Sequence, residues 1–112
     1  METYKFTLPA KKNYSAAIKI QNGVVSSGDM EVLFCSNNTT TLDVTVKTSV
    51  DNSEKRWEAL LGRIADFNSV PAGALLVHDF GASPGVARLR IEQTFDAVSY
   101  THLRAHETAA NL

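Results

Sequence analysis

The chain has 112 residues, 44% of them hydrophobic and 21% charged, with a formal net charge of -1. Such a length supports one modest core and not two, and a near-neutral balance argues against broad electrostatic capture of nucleic acid or anionic membrane. No apolar run approaches the roughly 20 residues that cross a bilayer. The Met1–Phe6 start lacks a signal-peptide pattern. One cysteine, Cys35, cannot close an internal disulfide, so a reducing cytoplasm is the expected compartment.

Tyr4–Leu8 alternates weakly and stops at Pro9, as a short strand would. Lys11-Lys12-Asn13 is a polar connection. From Ala16 to Asn22, Ile18 and Ile20 share one face and Lys19 and Gln21 the other, the period of a half-buried strand. Val24–Phe34 then sets two apolar runs around Ser26-Ser27-Gly28-Asp29, a hairpin whose tip faces solvent. Met30, Val32 and Phe34 make the return strand, and Ser36–Thr40 turns. Leu42, Val44 and Val46 alternate with Asp43, Thr45 and Lys47 as a third long strand.

A helix is predicted over about 52–68. Asp51 and Glu54 have the spacing of a capping box, and Trp57, Leu60, Leu61, Ile64 and Phe67 form one apolar stripe. Gly62 inside it costs about 1 kcal/mol relative to Ala, and Pro71 bounds it. Ala74–Phe80 reads as a strand, Gly81–Gly85 as a loop. In Val86–Ile91, Ala87, Leu89 and Ile91 alternate with Arg88, Arg90 and Glu92, which favours a strand paired to Ala74–Phe80. The rival is a helix capped by Ser83 with Pro84 in its first turn. The resulting fold is α+β: an antiparallel sheet with one main helix packed on one face, a two-layer sandwich.

Catalytic signals are sparse. Ser27 has no base nearby in sequence, and role-matching disfavours a triad. His78 and Asp79 point to opposite faces of their strand. Asp79-Phe80-Gly81 matches the kinase magnesium motif only by chance, since no Gly-rich loop precedes a strand lysine. Arg88 and Arg90 would share one side of a strand; a solvated face is their default, contact with a phosphate or a partner's carboxylate the alternative. Cys35 reads as a small buried hydrophobe. Neither a spaced carboxylate pair nor a zinc-type Cys/His set is evident.

Val24-Val25-Ser26-Ser27-Gly28-Asp29-Met30-Glu31-Val32-Leu33 resembles the prosthetic-group attachment turn of the malonate decarboxylase delta subunit, an acyl carrier family. Further matching stretches are Thr48–Ser53 with Arg56-Trp57 and Ala59-Leu60, then Leu75–Gln93. The resemblance covers nearly all of 1–97, the expected carrier domain, and extends more distantly to the citrate lyase acyl carrier subunit. It implies that Ser27 carries 2'-(5''-phosphoribosyl)-3'-dephospho-CoA through a phosphodiester. It implies also that Gly28 leaves room for the attaching transferase and that Asp29 supports the turn. The chain would then be a non-catalytic carrier of acetyl and malonyl thioesters, working with acyl-transferase and decarboxylase subunits. Ser26 stands where this family usually has Gly, and so competes with Ser27 as the anchor. Outside this family, the readings are an unmodified assembly or adaptor domain, or a small serine hydrolase.

Val98–Leu112 resembles the translation of a transposase sequencing adapter and is expected to be a non-native tail. Setting it aside removes His102 and His106, while Arg104 and Glu107 cancel.

Overall fold

In the computed structural model the described residues are 1–14, 17–23, 28–67 and 69–110, without the side chains of 67 and 105–110. The strands are β1 (Glu2–Pro9), β2 (Lys19–Gly23), β3 (Met30–Ser36), β4 (Thr41–Thr48) and β5 (Gly73–Asp79). The helices are α1 (Glu54–Phe67) and α2 (Pro84–Ala110). They build one five-stranded sheet in the order β1-β4-β5-β3-β2.

The sheet is mixed, which corrects the wholly antiparallel expectation. β4 and β5 run parallel, while the β1–β4, β3–β5 and β2–β3 pairs are antiparallel. Parallel neighbours cannot be joined by a hairpin; α1 makes the crossover between them. β5 thereby enters the centre of the sheet, between β4 and β3.

One sheet face is covered. Met30, Val32 and Phe34 of β3, Leu42, Val44 and Val46 of β4, and Leu75 and Val77 of β5 are all buried there. The strand period of two puts these residues on the same side. Trp57, Leu61 and Ile64 of α1, with Ala87, Ile91, Phe95 and Val98 of α2, close the core above them. On the other face Leu33, Cys35, Leu76 and His78 are half-buried, so Cys35 is not the fully buried hydrophobe its chemistry suggested.

Two helices are present where one was expected. Val86–Ile91 belongs to α2 and pairs with no strand. Ser83 caps it: Ser83 Oγ accepts from the Val86 N–H at 3.2 Å, and the Ala87 N–H bonds the Ser83 carbonyl at 2.9 Å. Pro84 needs no donor there. α1 also starts later than its capping-box reading. The Trp57 N–H bonds the Ser53 carbonyl at 3.0 Å, which places Ser53, not Asp51, at the N-cap. Asp51 and Asn52 make the preceding turn, Asn52 with φ 58°. Glu2 fastens that turn to β1, accepting from the Asn52 N–H at 2.6 Å and the Tyr4 hydroxyl at 2.7 Å.

α2 continues through the suspect tail. Val98 is fully buried, and the His102 ring meets Tyr14 edge-on with centroids 4.6 Å apart. No helix among the described residues is long and apolar enough to cross a membrane.

Candidate functional site

The corner between β2 and β3 is the site the sequence singles out. Val24, Val25, Ser26 and Ser27 lie outside the described residues; Gly28 and Asp29 are within them. β2 and β3 pair antiparallel with Gly23 opposite Glu31, so residues 24–29 connect a hairpin. That connection is longer than the two-residue turns of the tightest hairpins. Gly28 is exposed and has φ +79°, and among the described residues beyond its chain neighbours no atom comes within 4 Å of where a Cβ would stand.

The described end of the corner is braced against β5. The Gly28 N–H donates to the Phe80 carbonyl at 2.8 Å, and the Phe80 N–H returns to the Asp29 carbonyl at 2.9 Å. These bonds carry the β3–β5 ladder past its last paired residues, Met30 and Asp79. Asp79 is fully buried and organises the next loop. Its Oδ1 accepts from the Gly81 and Ala82 N–H groups at 3.2 and 2.9 Å, its Oδ2 from the Thr48 hydroxyl at 2.8 Å. The chain then enters α2.

α2 returns to the corner through Arg90. Its Nε bonds Asp29 Oδ1 at 3.2 Å and its Nη2 bonds Asp29 Oδ2 at 3.0 Å, a two-pronged ion pair. Asp29 Oδ1 also accepts from the Met30 N–H at 2.7 Å. The Arg90 hydrogen bonds, then that of Met30, hold the Asp29 carboxyl below its ordinary pKa. Each of these partners favours the charged form.

The other singled-out residues scatter. Arg88 pairs with Glu92 at 2.9 Å along α2, away from any shared face with Arg90. In a helix, residues two apart point in different directions. His78 is half-buried beside Phe80, ring centroids 6.1 Å apart. Gly81–Gly85 is not a hairpin loop: Gly81, Ala82 and Ser83 lead into α2, and Pro84 and Gly85 are its first residues.

Residues 18–98 match the family model described as malonate decarboxylase delta subunit (MdcD). The chain belongs to that family. It is 49% identical over 100 residues to the malonate decarboxylase acyl carrier protein of Klebsiella pneumoniae, covering 89% of this chain and 99% of that one. To the protein of the same description from Pseudomonas fluorescens (strain Pf0-1) it is 42% identical, with the same coverage. A chain in the crystal structure of a Pseudomonas malonate decarboxylase hetero-tetramer in complex with malonate superposes with a TM-score of 0.78. That chain is 42% identical, and the match covers 88% of this chain and 99% of that one.

Within this malonate decarboxylase carrier chain, two functional features escape a reading by residue. Arg90 stands 61 positions from Asp29 in sequence, and only the helical course of α2 brings them together. Asp79 left one signal, an acidic residue followed by Gly81 and Ala82 at a strand end, where a carboxylate commonly binds the backbone ahead of it.

Proposed function

We propose that Ser27 of this malonate decarboxylase acyl carrier subunit is the anchor of the prosthetic arm, 2'-(5''-phosphoribosyl)-3'-dephospho-CoA, joined through a phosphodiester. The observation that carries this reading is the contrast within the corner. Gly28, next to the serine, is exposed and uncrowded, while Asp29, one residue further, is locked to β3, β5 and α2. The residues present fit such a group: a primary hydroxyl for the phosphodiester oxygen, and a neighbour that leaves an enzyme room to approach. When bound, the arm supplies a thiol whose thioesters let a carbonyl take up the charge developed as carbon dioxide leaves.

This chain's own duties are mechanical. Ser27 provides an oxygen, Gly28 keeps the approach open, and the Asp29–Arg90 pair fixes the turn's exit. Bond making and breaking fall to partners: an acyl-transferase subunit, a decarboxylase subunit, and the transferase that attaches the arm. The hetero-tetrameric assembly of its solved relative supports partner subunits within one complex. We place the carrier in the cytoplasm and its domain at 1–97, with 98–112 as non-native sequence.

Reconstitution with the transferase and decarboxylase subunits tests the role. Malonate-dependent carbon dioxide release should require this subunit and fall to background with Ser27→Ala. Full activity of that variant would overturn the reading. Resequencing the locus tests the boundary: the true reading should depart after Ala97.

A further inference from the structure

We propose that Arg90 binds the phosphodiester at the root of the arm, bridging it to Asp29. This rests on Ser27 being the anchor. A guanidinium carries five N–H donors in a fixed fork. Three are engaged: Nε with Asp29 Oδ1, one Nη2 hydrogen with Asp29 Oδ2, and one Nη1 hydrogen with Gln93 Oε1 at 3.4 Å. Among the described residues, one N–H on each of Nη1 and Nη2 has no acceptor, and the side chain is 27% accessible. A carboxylate can therefore be retained while a second anion is taken.

The chain limits how far that anion can be. Ser27 precedes Asp29 by two residues, so an anion joined to it is tied by a short covalent path to the residue that Arg90 holds. A phosphodiester on Ser27 is a permanent monoanion brought beside the Asp29 carboxylate. Two such anions repel, and a cation between them relieves that repulsion. Arg90 is the cation that holds Asp29, and its fork geometry matches phosphate as well as carboxylate.

Arg90 is also positioned in advance. Its carbonyl accepts from Asn22 Nδ2 of β2 at 3.1 Å and from Thr94 Oγ1 at 2.8 Å, so the backbone carrying it is tied to the hairpin stem. Ordering the guanidinium has thus been achieved before the arm arrives, and a pre-ordered donor binds more tightly than a mobile one. The consequence is an arm held at its root and free beyond it.

The test compares the full chain before and after loading by co-expressed attaching enzymes. In the wild type, loading should shift the Arg90 side-chain N–H resonances and slow their exchange with solvent. The phosphorus-31 resonance of the Ser27 phosphodiester should move in Arg90→Gln, return part-way in Arg90→Lys, and stay in place in Arg88→Gln. If intact mass shows the arm on Ser27 but the Arg90 resonances do not respond to loading, this inference is overturned and the anchor reading stands. If no mass increment forms in the wild type, both fall.

Discussion

Thr48 and Asp79 meet at 2.8 Å, fully buried and directly opposite each other at the ends of the two parallel strands β4 and β5. The Thr48 hydroxyl also accepts from the Val50 N–H at 3.0 Å, so one pair of side chains shapes the exits of both strands. One exit leads to α1. The other leads to α2 and back to the hairpin corner.

Asp79→Ala should therefore be among the most damaging single changes. It strands the buried Thr48 hydroxyl and Ala82 N–H, and frees the N–H of the exposed Gly81. Unpaired buried donors cost about 1–3 kcal/mol each, so a loss of roughly 3 kcal/mol or more is expected from urea unfolding. Asp79→Asn keeps an acceptor for the backbone and should cost less. Equal stability of Asp79→Ala and wild type would contradict the assignment.

The Asp29–Arg90 pair makes stability depend on acidity in a stated direction. The Asp29 carboxyl is held below its unfolded-chain value, so its stabilisation is fully present above that value, near pH 4. It drains away as pH falls from there through the lower folded value, because the unfolded chain takes up the proton more readily than the native state. The wild type should unfold at higher urea than Arg90→Gln at pH 7, with the two converging as pH drops below about 4. A gap that persists undiminished in acid would be the wrong result.

The two glycines flanking the corner should behave differently. Gly23 has φ +96°, and a Cβ there would collide with the Met30 carbonyl oxygen and stand 3.2 Å from Glu31 Cα. Gly23→Ala must both strain its backbone and push β2 from β3. Gly28→Ala meets open space and pays only for its positive φ, about 1–2 kcal/mol. Thermal unfolding should rank Gly23→Ala well below Gly28→Ala; the reverse order would contradict this placement of the hairpin stem.

Ser83→Ala removes the cap of α2 and should cost about 1 kcal/mol. Faster amide hydrogen exchange at Val86 would show the first turn fraying. Unchanged exchange there would mean the hydroxyl is not the cap.

Most strands were legible because their alternation ran long enough to exclude a helix; β4, with Leu42, Val44, Val46 and Thr48 buried, is the plainest. Val86–Ile91 misled because six residues cannot separate the two periods. Ala87 and Ile91 are buried but Leu89 is 51% exposed, a helical spacing that Phe95 and Val98 continue. Parallel pairing of β4 with β5 leaves no mark on alternation; the crossover through α1 was the available hint. The serine corner is marked by its motif, whereas the Asp29–Arg90 bridge spans 61 positions and exists only because Val86–Ile91 is helical.

The most direct measurement is intact mass of the full chain co-expressed with the arm-synthesising and attaching enzymes. The wild type and Ser26→Ala should each gain the mass of one arm, and Ser27→Ala none. An arm on Ser27→Ala, or none on the wild type beside a loaded relative as control, would contradict Ser27 as the anchor.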